Sequence, residues 1–307
     1  MVLKVVIGSR GSQLALWQSE WAKSQLASTH DGLDVTIEVI KTEGDANLAA
    51  SFSEIGSKGV FTKEVDEALL SGRTDFSVHS LKDLPTTLLD GLELAAVSPR
   101  EDVRDAICAR DGLSLSDLPD GARVATSSLR RQALLRSVRP DVNLRPLRGN
   151  VDTRIRKLET EELDAIVLAG AGLKRLKLNE HISQLLPPSE FVPAAGQGVM
   201  ALVARTNDPQ VSELLSVVED TDARAAITAE RSALAELGGG CKIPFGAWAR
   251  REEDDFVLDG VIAHPEKGNP VRAQIIGTED QAAAMGKALA EELLRLGGDA
   301  ILKEVLA

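Results

Sequence analysis

Short apolar segments typical of buried strands alternate with helical patterns through the first two hundred residues of this chain. Residues 2–7 form one such apolar run, and a helical pattern with Leu14 and Trp17 on one face follows it. The same order recurs later in the chain, beginning with a short strand at residues 123–125. Strands that alternate with helices favour parallel sheets of the α/β class. We therefore predict two similar α/β lobes joined near residues 99–104.

The last third of the chain has a different pattern. A helix is predicted over residues 223–237, and the glycines at 238–240 are a strong signal for its end. Two apolar runs at residues 256–263 and 271–277 are typical of strands, and an amphipathic helix is predicted over residues 281–296. We therefore expect a small third domain of the α+β type at the carboxyl end.

The composition is that of an ordinary soluble globular protein, with 43% hydrophobic and 27% charged residues. No apolar run approaches the roughly 20 residues that span a bilayer, and the first residues contain no secretory cleavage pattern. We therefore expect a cytoplasmic protein without a membrane partner. Two cysteines, Cys108 and Cys241, are too few for a disulfide framework or a thiolate metal site, and with four scattered histidines we expect no metal.

Charge points to small anions as ligands. The net charge of −12 repels polyanions, so we expect no nucleic-acid partner. Against that overall sign, arginines cluster between Arg123 and Arg156. A planar guanidinium group suits bidentate binding of carboxylate or phosphate. The simpler interpretation of such a cluster is a solvated helix face.

Three predicted strands run into polar residues just before a helix, at residues 7–10, 124–128 and 147–150. Ligands of open α/β sheets bind beyond the carboxyl ends of strands, where helix N-termini present free N–H groups. In the second segment Arg130 and Arg131 fall in the first helical turn, where cations oppose the helix dipole. Simple N-capping explains the serines but not these arginines. We therefore favour an anionic ligand that offsets the cost.

Two further residues have side chains suited to catalysis. Asp83 directly follows a predicted strand and precedes Pro85, so it is either a catalytic carboxylate or only a turn residue, and its position alone favours the turn. Cys241 lies in a glycine-rich loop after a helix, and the neighbouring Lys242 favours its thiolate form. Cys108, by contrast, lies in an apolar segment, and we assign it to the core of a strand.

Six segments together resemble the porphobilinogen deaminase (hydroxymethylbilane synthase) family. They occur in the order found in that family and extend over nearly the whole chain. They are residues 9–18 (SRGSQLALWQ), 79–85 (HSLKDLP), 126–132 (TSSLRRQ), 147–151 (LRGNV), 193–198 (PAAGQG) and 239–241 (GGC). One such segment is a weak signal, whereas six in order are specific to the family.

The resemblance implies an α/β fold of two lobes similar to periplasmic binding proteins, plus a small C-terminal α+β domain. Domain 1 would comprise residues 1–98 and 199–217, domain 2 residues 104–193, and domain 3 residues 221–307. A segment at residues 45–60 would form a lid. No long exposed apolar seam is evident in the sequence, so we expect a monomer.

The resemblance also implies the reaction. Transferases of this family deaminate four porphobilinogen molecules, join them head to tail to a covalently bound dipyrromethane cofactor, and release hydroxymethylbilane by hydrolysis. Cys241 would hold the dipyrromethane through a thioether, and Asp83 would be the catalytic carboxylate that stabilises an azafulvenium cation. The product belongs to the biosynthesis of tetrapyrroles, which include the porphyrins and heme.

The other residues implied by the match would bind the cofactor and the substrate porphobilinogen. Arginines would bind the acetate and propionate groups, and hydroxyl and amide groups would add hydrogen bonds. They are Arg10, Ser12, Lys58, Phe61, Ser80, Lys82, Thr126, Ser127, Ser128, Arg130, Arg131, Arg148, Gly149, Arg154, Arg175, Gln197 and Gly198.

Two other functions share parts of this pattern. A two-lobed anion-binding receptor would have the same fold without catalysis, but it would need neither Asp83 nor a domain with Cys241. An enzyme acting on phosphorylated substrates would use residues 126–131 to bind phosphate. The sequence has no Walker loop and no evident metal ligands for that chemistry.

Overall fold

The computed structural model describes residues 3–30, 32–42, 63–238 and 243–306. Its strands, labelled in chain order, are β1 (Leu3–Arg10), β2 (Leu33–Ile40), β3 (Phe76–Ser80), β4 (Leu92–Val97), β5 (Asp105–Ala109), β6 (Arg123–Ala125), β7 (Asn143–Arg145), β8 (Ala165–Ala169), β9 (Gln184–Leu185), β10 (Met200–Arg205), β11 (Phe245–Glu252), β12 (Asp255–His264) and β13 (Gly268–Gly277). Its α-helices are α1 (Gln13–Thr29), α2 (Lys63–Leu70), α3 (Leu129–Val138), α4 (Val151–Thr160), α5 (Gly170–Arg175), α6 (Pro209–Leu215), α7 (Thr221–Glu236), α8 (Ala282–Leu293) and α9 (Asp299–Leu306). Each of these described helices is too short or too polar to cross a bilayer.

The chain divides into two compact units. The first consists of residues 1–100 and 199–224, and the second of residues 101–198 and 225–307. The second unit therefore combines residues that the sequence assigned to domains 2 and 3. The boundaries of the three domains stay a prediction.

The sheet of the first unit has the strand order β2-β1-β3-β10-β4. Strand β1 pairs in parallel with β2 and β3, whereas β10 runs antiparallel to both of its neighbours. Helix α1 packs on this sheet, and its side chains Ala22 and Leu26 share a core cluster with Ile7 of β1. Trp17 is only partly buried at the border of that cluster. The buried face of α1 therefore differs from the face with Leu14 and Trp17 that the sequence predicted.

The sheet of the second unit repeats this arrangement, with the order β7-β6-β8-β5-β9. Strand β6 pairs in parallel with β7 and β8, and β5 is antiparallel to β8 and β9. Side chains of β5 alternate between the two faces, so Ile107 packs in one core cluster while Ala106 and Cys108 pack in another. Both faces of this sheet are therefore covered. The prediction of two similar α/β sheets is confirmed.

The second unit also contains the antiparallel sheet β11-β12-β13. Helix α8 packs on it through Leu289, which shares a core cluster with Leu258 and Ile262. This α+β arrangement was predicted, although the strand β11 and the helix α9 were not. The helix predicted over residues 281–296 is shorter than expected, because a wider turn at Leu294–Gly298 follows it and Gly297 has φ of 113°.

Candidate active site

In the first unit, the carboxyl ends of β1 and β3 lie at the same edge of the sheet. These two strands are parallel neighbours, and Arg10 ends the first while Ser80 ends the second. Ser12 begins α1 as its N-cap, and its Oγ accepts a hydrogen bond from the N–H of Ala15 at 3.2 Å. Gln18 of the same helix donates from Nε2 to Ser80 Oγ at 2.8 Å. The predicted site residues Arg10, Ser12 and Ser80 thus share one edge of one sheet.

Asp83 ends a single helical turn that directly follows β3. Leu81 and Leu84, on either side of it, are buried. The N–H of Leu81 donates to Val199 O at 3.0 Å, so the turn is tied to the segment before β10. The Asp83 side chain is exposed and Lys82 is half-buried. Buried leucines therefore hold the turn in place and leave the carboxylate facing outward.

His79, one residue before the end of β3, is buried in the sheet. Its Nε2 lies 2.8 Å from Ser77 Oγ. Burial, with a smaller effect from the positive charge of Arg10, lowers the pKa of His79 to about 4. The imidazole is therefore neutral near pH 7. It belongs to the core of the sheet and is not suited to donate protons to a substrate.

In the second unit, hydroxyl groups join the end of β6 to the end of β7. Ser127 Oγ donates to Leu147 O at 3.0 Å and accepts from the N–H of Leu147 at 2.9 Å. The Oγ1 of the buried Thr126 accepts from the N–H of Ser128 at 3.2 Å. Ser128 is the N-cap of α3 and accepts from the N–H of Arg131. N-capping is thus observed for Ser128, and a role of these three residues in ligand binding stays a prediction.

Arg130 and Arg131, in the first turn of α3, are buried against Asp105. Arg131 donates from Nη2 and Nε to Asp105 Oδ1 at 2.7 and 3.0 Å, and from Nη1 to Val167 O at 3.0 Å. Arg130 Nη1 lies 2.8 Å from Asp105 Oδ2 and donates to Val192 O at 2.8 Å. Two guanidinium groups therefore surround one carboxylate.

Asp105 was not identified from the sequence as a residue of this site. Burial alone would raise the pKa of its carboxyl group, but the adjacent Arg130 and Arg131 outweigh burial and lower it. The group is therefore a permanent anion. The two arginines need not be offset by an external anion alone, because Asp105 is an internal one. A charged residue at the start of an apolar strand was the signal that could have revealed it.

Beyond β7, Gly149 and Arg154 form a compact turn at the start of α4. Arg154 donates from Nε to Gly149 O at 2.7 Å. Gly149 has φ of 109°, and a Cβ atom there would lie 2.8 Å from Thr153 Cγ2, so only glycine fits. Arg148 and Arg154 are both half-buried, which leaves part of each side chain accessible to a ligand.

The last predicted residues of the second unit meet around the carbonyl oxygen of Gly198. Arg175 donates from Nη2 to this oxygen at 2.6 Å, and the N–H of Glu101 donates to it at 3.1 Å. Burial lowers the pKa of Arg175 to about 10, so it remains a cation near pH 7. Gln197, fully buried, donates from Nε2 to Asp105 Oδ1 at 3.0 Å. Gln197 therefore belongs to the same buried group as Arg130 and Arg131.

Three predicted site residues and the predicted lid lie outside the described residues. They are Lys58, Phe61, Cys241 and the segment at residues 45–60. The other cysteine, Cys108, is fully buried in β5. Burial raises the pKa of its thiol to about 12, so it stays neutral and unreactive near pH 7.

Comparison with known families matches both parts of the chain. The family model described as "Porphobilinogen deaminase, dipyromethane cofactor binding domain" matches residues 5–213, and the one described as "Porphobilinogen deaminase, C-terminal domain" matches residues 224–295. The chain belongs to the porphobilinogen deaminase family. The family that the six sequence segments indicated is therefore confirmed.

Individual members of the porphobilinogen deaminase family are similar along nearly their full length. The enzyme of Roseiflexus castenholzii is 50% identical over 298 residues, which are 97% of this chain and 98% of the relative. The enzyme of Chromobacterium violaceum is 46% identical over 304 residues, covering 99% of this chain and 98% of the relative. Among solved structures, lipoprotein Tp32 from Treponema pallidum aligns with 71% of this chain and 91% of its own at 15% identity, with a TM-score of 0.46.

Membership of the porphobilinogen deaminase family establishes the class of reaction. The chain is a transferase of tetrapyrrole biosynthesis that polymerises porphobilinogen to hydroxymethylbilane. Its cofactor is dipyrromethane, because the family model that matches residues 5–213 is that of the domain that binds this cofactor. The predicted enzyme class, substrate and cofactor are thereby confirmed.

Proposed function

We propose that Asp83 is the catalytic carboxylate of this porphobilinogen deaminase and that Cys241 holds its dipyrromethane. The observation that supports the first assignment most directly is the turn at Leu81–Asp83, where two buried leucines flank an exposed carboxylate. A residue needed only to form the turn would not have to be an acid. A carboxylate held outward on a fixed turn is available to a substrate.

The arginines of the second unit suit the acetate and propionate groups of porphobilinogen and of the cofactor. Arg130 Nε is buried without a hydrogen-bond partner among the described residues, so it can donate to a ligand. Arg148 lies between β7 and α4, Arg154 lies in α4, and both are half-buried. Guanidinium groups bind carboxylates with two parallel hydrogen bonds. These residues therefore fit a cofactor and substrate rich in carboxylates.

Cys241 is the proposed attachment site because the alternative cysteine is unsuitable. The thiol of Cys108 is fully buried and its pKa is raised, so it does not form a thiolate near pH 7. The chain has two cysteines, which leaves Cys241 for a thioether. The neighbouring Lys242 favours the thiolate form of Cys241.

When bound, the dipyrromethane supplies the free pyrrole carbon to which the first porphobilinogen is joined. For each porphobilinogen, the bond between its methylene carbon and its amino nitrogen breaks, ammonia leaves, and a carbon–carbon bond forms as the ring carbon loses its proton. Asp83 stabilises the positive charge that develops on the substrate as ammonia leaves, and it accepts the released proton. Arg130, Arg131 and Arg148 hold carboxylate groups and so orient the substrate.

We further propose that the enzyme acts as a monomer in the cytoplasm. The proposal on oligomeric state rests on the sequence, which contains no long exposed apolar seam. Sedimentation velocity of the purified protein tests it, and a concentration-dependent increase in the sedimentation coefficient would contradict it. Cell fractionation with an antibody to the chain tests the compartment.

Intact mass under denaturing conditions tests the attachment site. We expect the purified protein to exceed its polypeptide mass by one dipyrromethane, with the added mass on the peptide that contains Cys241. Cys241→Ser should have the bare polypeptide mass, whereas the matched variant Cys108→Ala should retain the cofactor. Retention of the added mass in Cys241→Ser would show that the attachment site lies elsewhere.

A further inference from the structure

The buried group of charges in the second unit contains two cations and one anion. Asp105 is fully buried, and only 4% of Arg130 and 6% of Arg131 is exposed. Gln197, which also contacts Asp105, is neutral, and the raised pKa of the Cys108 thiol keeps that group neutral as well. The two guanidinium groups and the one carboxylate therefore leave a net charge of one positive unit.

Backbone contacts fix these charges in position. Asp105 is the first residue of β5 and pairs there with Ala169 of β8, so its carboxylate cannot withdraw from the arginines. Arg130 and Arg131 are each anchored by a hydrogen bond to a backbone carbonyl oxygen as well as by Asp105. The carboxylate is therefore a permanent part of the site and not a side chain that a ligand would displace.

The group still has the capacity to bind an acceptor. Arg130 Nε is buried and has no hydrogen-bond partner within the described residues. A buried donor without an acceptor is unfavourable, and so is a buried net charge. One carboxylate from a ligand would satisfy the donor and neutralise the group. The structure therefore favours binding of one carboxylate at a time.

We propose that Asp105 limits how tightly this arginine pair binds the carboxylates of the growing chain, so that each unit can move on after it is added. The proposal rests on the proposed function, in which Arg130 and Arg131 bind acetate and propionate groups. Without Asp105 the pair would have two positive charges in a region of low dielectric constant, and a bound carboxylate would be held more strongly. Binding that stabilises an intermediate more than the next transition state raises the barrier to the next step and slows turnover.

The competing explanation is that Asp105 acts only as a scaffold for the two arginines. The two explanations predict opposite effects on substrate binding when the negative charge is removed. A lost scaffold would weaken binding and raise KM. A lost negative charge would strengthen binding of the chain, lower kcat and leave KM unchanged or lower.

Asp105→Asn separates these explanations, because the amide has the same size and keeps one oxygen that can accept from Arg131. The cofactor-loaded variant is mixed with limiting porphobilinogen, and its intact mass is followed over time under denaturing conditions. We expect species with one or more added units to persist longer than in the unsubstituted protein. We also expect kcat to fall at least about tenfold, which corresponds to about 1.4 kcal/mol, without an increase in KM. A raised KM without persistent species would overturn the proposal.

A second variant restores the charge. Asp105→Asn combined with Arg130→Gln returns the group to one positive unit and leaves one buried guanidinium group without its carboxylate in place of two, which is less costly. It therefore gives an answer even if Asp105→Asn alone does not fold. Its reference is Arg130→Gln alone, in which Asp105 still neutralises Arg131. We expect loaded species to persist longer in the double variant than in Arg130→Gln, because removal of the carboxylate again adds one positive unit. Equal or shorter persistence in the double variant would contradict the proposal.

Thermal unfolding provides a measurement independent of turnover. Asp105→Asn should have a lower Tm than the unsubstituted protein before substrate is added, and porphobilinogen should raise its Tm by a larger amount. An equal or smaller rise would argue for a scaffold alone. Failure of the proposed function is distinguishable, because the unsubstituted protein would then add no mass from porphobilinogen.

Discussion

The backbone N–H of Leu84 donates to the carbonyl oxygen of Leu81 at 3.0 Å, and both leucine side chains are buried. This hydrogen bond closes the turn that contains Lys82 and Asp83. Because the leucines and not the aspartate stabilise the turn, the Asp83 carboxylate can be changed without disturbing the backbone around it. Asp83 can therefore be tested for catalysis separately from folding.

Asp83→Asn should lower kcat at least about a hundredfold, since general acid–base and charge stabilisation by one group contribute factors of this order. Asp90→Asn, another exposed aspartate of the first unit, is the matched control and should have unchanged kcat. Rates of porphobilinogen consumption and Tm values of both variants check the prediction. Full turnover by Asp83→Asn would exclude the catalytic role.

Sequence patterns predicted the strand ends of the candidate site but not the partners of their side chains. The two cations in the first turn of a helix indicated an anionic ligand, and that ligand stays a prediction. The anion observed beside them is Asp105, which is distant in sequence and is brought to α3 by the pairing of β5 with β8. Such a contact depends on tertiary packing, so local patterns cannot reveal it.

The buried His79 predicts a pH dependence of stability. Its pKa is lowered from 6.5 to about 4 in the folded protein, so the unfolded chain binds the proton more tightly. Protonation therefore favours unfolding. Neutral His79 contributes roughly 3 kcal/mol to the free energy of unfolding, at about 1.4 kcal/mol for each pKa unit. This contribution is complete above about pH 6.5 and is lost as the pH falls to about 4.

Urea unfolding between pH 7 and pH 4 measures this effect. His79→Gln should show a weaker dependence of the free energy of unfolding on pH than the unsubstituted protein. His30→Gln, in which the substituted residue is at the end of α1, serves as the control and should keep most of the dependence. Parallel curves for His79→Gln and the unsubstituted protein would disprove the assignment.

Gly149 should resist substitution for two separable reasons. Its φ of 109° is unfavourable for any residue with a Cβ atom, and that atom would lie 2.8 Å from Thr153 Cγ2. We expect Gly149→Ala to reduce the free energy of unfolding by about 2–3 kcal/mol. Gly72→Ala isolates the backbone effect, because Gly72 has φ of 74° and open space around it, and should cost about 1 kcal/mol.

Combining Gly149→Ala with Thr153→Ser removes the methyl group that the new Cβ would meet. This double variant should recover part of the lost stability, by an amount that reports the steric contribution. Chemical unfolding of the single and double variants provides the comparison. No recovery would mean that the backbone conformation alone forbids a side chain at position 149.

The thiol of Cys108 should be inaccessible to reagents in the folded protein. It is fully buried and its pKa is raised to about 12, so both access and thiolate formation are suppressed. In Cys241→Ser it is the remaining cysteine, which makes the measurement unambiguous. A disulfide reagent should release no chromophore from this variant until denaturant is added. Rapid reaction under native conditions would contradict the burial of Cys108.

The elements missed from the sequence have identifiable physical causes. Strand β11 (Phe245–Glu252) ends in three charged residues, so its apolar pattern is too short to indicate a strand. Helix α9 (Asp299–Leu306) follows Gly297, whose positive φ is typical of a helix end, and the chain resumes a helix directly afterwards. Both depend on packing within the second unit, whereas the long periodic segments of α1 and α7 were predicted from local pattern alone.

Strand β10 (Met200–Arg205) is placed between β3 and β4 in the sheet of the first unit, although about a hundred residues separate it from β4 along the chain. A ribosome therefore completes the five-stranded sheet of the second unit, β5 to β9, before it delivers the strand that joins β3 to β4. Until then these two strands lack their shared neighbour, and each has an unpaired edge open to other chains. Vectorial synthesis thus completes the five-stranded sheet of the first unit after that of the second, and chains released before residue 205 should depend on chaperones to remain soluble.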